Sequence, residues 1–300
     1  MATSPDIRLP DEGAIVVVDK PAGMTSHDVV ARLRKSLGTR KVGHSGTLDP
    51  DATGVLVLGV GRATRLLTFI TGLPKSYVGE IVLGVETDTL DAAGTITATH
   101  DMSHVTEDAV RAAAAGFVGD IEQVPPMVSA IKVGGKRLHQ LAREGVEVER
   151  EARPVTVTLF DVAPVEGEPG VYRAEVDCSS GTYIRSLALD LGRALGGGAH
   201  LRSLRRTAVG PYVVADASSI DQPIVIPAGA GLPHVPVVAV SDAVATEVGH
   251  GKVLAPDVLG LGVDDGDGPW QIHDPAGRLV AVSRRHRDGR IKPAVVLRGA

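Results

Sequence analysis

Apolar positions change period several times along the chain, and each change marks an element. Residues 14–19, Ala-Ile-Val-Val-Val-Asp, form a short β-rich run closed by a turn at Pro21 and Gly23. Val29, Val30, Leu33 and Leu37 then recur at helical spacing. That predicts a helix over 26–37, with Ser26 as N-cap, Asp28 in the first turn and Gly38 as its stop. Residues 39–54 have no period and are rich in Gly, Pro and Asp, so they read as a loop. A strand is expected over 55–58 and a helix over 63–70. Further strands are expected over 77–85, 94–99, 155–162, 172–178 and 201–209. Residues 106–117 read as an Ala-rich helix with Glu107 and Asp108 at its positive end, and 182–195 also has the helical period. Helices interspersed with hairpin-like strands predict an α+β fold: a mixed, mainly antiparallel central sheet flanked by helices.

The pattern loosens after Tyr212. Pro223, Pro227 and the Pro/Gly-rich stretch 229–236 suit a boundary. Beyond them, β-type pieces at 270–273, 278–282 and 294–297 alternate with turn signals, which suggests a small β-rich module. The expected domains are therefore 1–232 and 233–300.

Composition adds exclusions. The 300 residues are 43% hydrophobic and 22% charged, ordinary globular usage. The single Cys178 allows no internal disulfide, and the N-terminal residues lack the basic-then-apolar layout of a signal peptide, so a cytoplasmic protein is expected. No apolar run approaches the ~20 residues of a membrane span. The net charge of −5 hides blocks of opposite sign. Nine basic residues between Lys20 and Lys75 face three acids. Only Arg111 opposes nine acids between Glu80 and Glu122, and five arginines between Arg185 and Arg206 face Asp190 alone. The two basic blocks suit an anion-binding face; solvated surface charge is an equal reading.

The segment Gly43-His44-Ser45-Gly46-Thr47-Leu48-Asp49-Pro50-Asp51-Ala52-Thr53-Gly54 is the most informative. Such a loop brings its backbone close to a ligand and presents one carboxylate, Asp49, in a fixed place. A plain Asp-Pro turn is the competing reading. A nucleophile elbow fails because Thr47 stands where G-x-S-x-G needs glycine, and the run from Gly59 to Thr64 is a dinucleotide fingerprint without its third glycine. Neither the ten histidines nor the lone cysteine shows a metal-site spacing. Aromatics are 3% of the chain, and Tyr77 and Tyr183 both sit beside basic residues. Cys178 reads as a small buried apolar side chain.

Taken together, these segments resemble the bacterial tRNA pseudouridine synthase B (TruB) family. The resemblance rests on Asp19-Lys20-Pro21-Ala22-Gly23-Met24-Thr25-Ser26, on the loop from Gly43 to Pro50, and on Gly59 to Leu67. It continues through Lys75-Ser76-Tyr77-Val78-Gly79, Thr87 to Gly94, Gln123 to Met127 and Ser129 to Lys132. Gly181-Thr182-Tyr183-Ile184-Arg185, Gly198 to Leu201 and Leu204-Arg205-Arg206 complete it. These segments span most of 14–212 in order. Val128 and His139 depart from the family pattern, where tyrosines are expected.

The resemblance implies a pseudouridine synthase fold with a PUA-like C-terminal domain, and conversion of uridine 55 in the TΨC loop of tRNA. It makes Asp49 the catalytic aspartate, Arg185 its paired arginine, Tyr77 the residue stacked on the target base, and Tyr183 an assistant in proton removal. His44 would fill the place of the flipped nucleotide, and Lys20 with Pro21 would support the loop. Lys132, Lys136, Arg137 and Arg143 fall in an RNA-gripping insertion over about 124–153, and Leu204 and Arg205 belong to the substrate-binding set. The reaction breaks N1–C1′ and forms C5–C1′, so no cofactor or metal is expected. The implied partner is the tRNA T arm, bound by a monomer without guide RNA. A tRNA-folding chaperone with incidental catalysis, a guide-RNA-dependent enzyme and a synthase with another target uridine are the alternatives.

Overall fold

A computed structural model describes residues 9–129, 132–133, 136–137 and 148–297 of the protein. In chain order the elements are β1 (Ala14–Lys20), α1 (Ser26–Ser36), β2 (Val42–His44), β3 (Thr53–Val60), a 3-10 helix (Gly61–Phe69), β4 (Lys75–Leu83), β5 (Val85–Thr87) and β6 (Ile96–Thr99). Then come α2 (Glu107–Ala115), β7 (Gly119–Gln123), β8 (Lys132–Val133), β9 (Lys136–Arg137), β10 (Arg153–Pro164), β11 (Val171–Cys178), α3 (Ile184–Ala194) and β12 (Ala199–Val209). The remainder is β13 (Tyr212–Val213), β14 (Ile226–Pro227), β15 (Val237–Ala239), α4 (Asp242–Gly249), β16 (Trp270–His273), β17 (Leu279–Arg285) and β18 (Ile291–Val296). Two compact units result: Met1–Pro50 with Gly54–Thr71 and Gly210–Ala300, and Asp51–Thr53 with Gly72–Val209.

In the first unit β1 lies between β14 and β3, and β2 adds to β3, all antiparallel. The run Ala14 to Val18 is buried on both faces, which is why it is continuously apolar rather than alternating. Val16, Val18, Leu56 and Leu58 pack against Val29, Val30 and Leu33 of α1. The cap of α1 lies one residue before the expected one, because Thr25, not Ser26, is the N-cap. Thr25 Oγ1 accepts from Asp28 N at 3.1 Å while Thr25 N donates to Asp28 Oδ2 at 2.8 Å. This reciprocal pair needs an acceptor three residues after the cap, and only Thr25 has one; three residues after Ser26 stands Val29. The Thr25 hydrogen bonds hold the Asp28 carboxyl below its usual pKa.

The same unit carries a four-stranded sheet ordered β15-β16-β17-β18, with β15 parallel to β16 and the rest antiparallel. Helix α4 packs Ala245 and Val248 against Trp270, Ile272 and Ala281. This short helix escaped the sequence reading: its eight residues are too few to show a period, although Ser241 caps it through Val244 N. The module is joined to the 3-10 helix. Arg62 NH1 donates to Leu297 O and Arg65 NH1 to Val296 O, each at 2.6 Å, and the Arg284 guanidinium lies 5.2 Å from the centre of the Phe69 ring.

In the second unit the strand order is β12-β4-β11-β10-β7, antiparallel throughout. Strand β4 alternates buried and half-buried residues from Lys75 to Leu83, so Lys75, Tyr77, Gly79 and Ile81 share its buried face. Tyr77 and Ile81 pack there with Ile184, Leu187 and Leu191 of α3 and with Val110 of α2. Strand β7, Gly-Asp-Ile-Glu-Gln, was missed because it is a polar edge strand held by its ladder to β10. Strands β8 and β9 pair as Lys132↔Arg137 and Val133↔Lys136. Arg143 lies outside the described residues.

Candidate active site

The loop carrying Asp49 is pinned on both sides of that residue. Ser26, 1% exposed, accepts from Leu48 N at 2.9 Å and donates to Leu48 O at 3.2 Å through one hydroxyl. On the other side Lys20, fully buried, sends its ammonium to Pro50 O at 2.9 Å and to Pro21 O and Met24 O at 2.9 and 2.6 Å. Three carbonyls match the three N–H donors of an ammonium, so the buried charge is solvated by main-chain dipoles. Ser45 N adds a bond to Val57 O at 3.0 Å. The flanking residues are fixed, and Asp49 itself is half-buried. His44, on β2 opposite Leu58, stands edge-on to His27 with ring centres 5.6 Å apart.

Tyr77 lies directly across the ladder from Arg206 on one side and Val176 on the other. Directly opposed residues point to the same face, so a buried tyrosine and a guanidinium that is 2% exposed share one surface. Lys75 lies two residues along the same face, and burial, with the Arg206 charge adding to it, pushes the Lys75 ammonium down to about 8. Cys178, opposite Lys75, is buried as expected, and burial pushes its thiol up to about 11. A thiol so shifted is a poor nucleophile at neutral pH. Leu204 faces Gly79 across the ladder, where a Cβ would come within 3.4 Å of the leucine side chain. Arg205 donates to Thr53 Oγ1 at 3.2 Å.

Tyr183 and Arg185 come from the start of α3. Tyr183 is the N-cap residue and makes no side-chain cap of its own; instead the Gln123 side chain bonds its main chain at both N and O. Arg185, 4% exposed, donates to Thr89 O at 2.8 Å and to Val128 O at 2.9 Å, and lies 3.4 Å from Asp91. It therefore ties the 87–91 turn to the root of the segment leading toward β8. Ser186 Oγ to Val124 O at 2.9 Å and Arg150 NH1 to Pro125 O at 3.0 Å secure the same root.

Of the expected site residues, Lys20, His44 and Asp49 belong to the first unit, and Tyr77, Tyr183, Arg185, Leu204 and Arg205 to the second. Ser26 and Gln123 were not singled out as functional. Both act through main-chain hydrogen bonds to residues far along the chain, and sequence pattern carries no signal for those. The basic block from Lys20 to Lys75 presents less free charge than its count suggests. Lys20 and Lys75 are buried, Arg32 pairs with Asp221 at 2.6 Å, and Arg34 donates to Val42 O at 3.1 Å. Among the described residues no group of three or more His, Cys, Asp or Glu is placed to hold a metal ion, and no helix is long and apolar enough to cross a membrane.

The family profile described as "TruB family pseudouridylate synthase (N terminal domain)" matches residues 34–184, and that described as "tRNA pseudouridylate synthase B C-terminal domain" matches 185–222. The chain is 47% identical over 294 residues to the tRNA pseudouridine synthase B of Arthrobacter sp. (strain FB24), covering 94% of this chain and 95% of the relative. It is 47% identical over 297 residues to that of Thermobifida fusca (strain YX), covering 95% and 99%. Among solved structures it is similar to a Cbf5-Nop10-Gar1 complex (TM-score 0.71, 27% identity, 99% of this chain and 92% of the other). It is also similar to an H/ACA RNP bound to a substrate RNA containing 2'-deoxyuridine (TM-score 0.69, 25% identity, 99% and 91%). The match over nearly the full length, with the pseudouridine synthase fold that both structures carry, places the chain in the TruB family of pseudouridylate synthases.

Proposed function

We propose that this protein converts uridine 55 in the TΨC loop of tRNA to pseudouridine, with Asp49 as the catalytic carboxylate and the target base flipped out of its stack. The chain is a tRNA pseudouridine synthase, an isomerase. The observation that best supports Asp49 is the double anchoring of its loop, because Ser26 and Lys20 fix the residues on either side of a half-buried Asp49. A reacting group held to a few tenths of an ångström makes a large share of the barrier entropic and already spent.

The isomerisation breaks N1–C1′, rotates the uracil, forms C5–C1′, moves the C5 proton away and leaves N1 protonated. Atoms balance without a co-reactant. Asp49 begins the sequence as a carboxylate, and Tyr183 assists loss of the C5 proton. Tyr77 offers its ring to the extruded base, with Arg206 alongside on the same face. His44 takes the place the base leaves. Unstacking costs a few kcal/mol, which contacts to the backbone offset. Lys132, Lys136, Arg137 and Arg143 supply cations to the T-arm backbone.

The test is direct. Wild type and Asp49→Asn, without cofactor or metal, are incubated with an unmodified T-arm stem-loop, and pseudouridine is mapped. Conversion at uridine 55 by wild type alone is expected. Equal conversion by Asp49→Asn overturns the role of the carboxylate, and conversion elsewhere overturns the position.

A further inference from the structure

The side-chain amide of Gln123 lies flat against the main chain of Tyr183. Gln123 Oε1 accepts from Tyr183 N at 2.7 Å, and Gln123 Nε2 donates to Tyr183 O at 3.1 Å. The main chain dictates that orientation, since an N–H only donates and a carbonyl only accepts. The glutamine is 2% exposed at the end of β7, sixty residues from its partner in sequence. Tyr183 is the N-cap of α3 and makes no side-chain cap bond of its own, so its main chain is held from outside the helix by Gln123. The neighbouring bonds, Ser186 to Val124 O and Arg185 to Val128 O, hold the root of the following segment without involving Gln123. Gln123 thus acts on one residue, and that residue is the tyrosine at the mouth of the helix.

We infer that Gln123 is a positioning residue for Tyr183, its amide holding the tyrosine main chain where the ring can serve the isomerisation. This rests on the reading of Tyr183 as the assistant in proton removal. A methylene or a missing donor changes the pair in known ways. Methionine fills the space but makes neither bond. Glutamate as a carboxylate accepts from Tyr183 N yet has no donor, and sets a charge against Tyr183 O. Protonated, the same carboxyl has one O–H and one C=O and reproduces the amide pair.

The experiment uses the full chain labelled with 3-fluorotyrosine, with the Tyr183 resonance assigned by its absence in Tyr183→Phe. Single-turnover pseudouridine formation and stem-loop binding are measured on the same variants. Gln123→Met is expected to shift or broaden the Tyr183 signal and to slow the single-turnover step about tenfold or more, with RNA affinity within twofold. Gln123→Glu is expected to recover both signal and rate as pH falls from 8 to 5.5, relative to wild type at the same pH, whereas Gln123→Met does not. Adding Gln123→Met to Tyr183→Phe is expected to cost less than threefold further, because both changes act through one ring. A Tyr183 resonance unmoved by Gln123→Met overturns the inference whatever the activity. So does a fully additive double variant, a loss confined to RNA affinity, or a moved resonance with an unchanged rate. Wild type that makes no pseudouridine at the loop uridine sinks the activity reading instead, and the resonance still decides whether Gln123 places Tyr183.

Discussion

Replacing Ser26 by alanine removes one oxygen and leaves two polar groups without their partner. The hydroxyl accepts from Leu48 N and donates to Leu48 O, and both Ser26 and Leu48 are nearly inaccessible, at 1% and 3% exposure. Each buried main-chain group so orphaned costs about 1–3 kcal/mol. Alanine in the first turn of α1 returns roughly 0.5 kcal/mol through better helix propensity. The net loss expected is therefore about 1.5–5.5 kcal/mol, a large part of the ~5–15 kcal/mol that holds a domain together. Because the Leu48 carbonyl leads into the Asp49 peptide, the loosened bond also shifts the carboxylate, and a misplacement of ~1 Å costs about a hundredfold in rate. Denaturant titration and single-turnover pseudouridine formation on one preparation measure both effects. A variant that loses less than 0.5 kcal/mol, a bound set by the scatter of ordinary surface changes, and keeps its rate would refute the claim that Ser26 fixes the Asp49 loop.

Two further outcomes follow from the geometry. The folded Lys75 pKa, pushed down to about 8, lies below the unfolded value of 10.5, so between those pH values the unfolded chain binds the extra proton. Stability of wild type relative to Lys75→Met should therefore rise from pH 8 to 10.5, and a flat difference in thermal unfolding would contradict the burial of that ammonium. Replacing Arg62 and Arg65 together by alanine removes two charge-assisted bonds to the end of β18, worth up to about 1.5–3 kcal/mol each before solvent screening. Faster amide exchange at Val295 to Leu297, with pseudouridine formation retained, is the expected result.

Elements with a strong apolar period were legible from sequence: β1, β3, β4, β11, α3 and β12 all fall within a few residues of their expected places. Their buried faces carry the pattern. Missed elements are those whose stability comes from elsewhere in the chain. Strand β2 is three residues inside a glycine-rich loop and exists because β3 offers it an edge. Strand β7 has polar residues at alternate positions and gains its place from the β10 ladder. The expected helix over 63–70 is the 3-10 helix Gly61–Phe69, which starts at a glycine with φ of +64°. The site divides the same way. Residue types that announce chemistry, such as Asp49, Tyr77 and Arg185, stand out in a sequence poor in aromatics. Residues that hold main chain in place, Ser26 and Gln123, do not, because the bonded partner is decided only when strands and helices have packed.

The first strand has an unusual debt to a segment about two hundred residues further on. One edge of β1 is completed by β3 within about forty residues, but its other edge waits for Ser218, whose hydroxyl bonds Val17 O from 201 positions away, and for β14 beyond it. At a synthesis rate of about 5–20 residues per second, that gap keeps one side of an apolar strand unpartnered for roughly 10–40 s on the ribosome. The second unit, spanning Gly72–Val209, emerges entirely within that interval and draws its strands from one continuous stretch. Its sheet can form while the N-terminal strand is still half covered, so a segment translated long after β1 closes the oldest part of the fold.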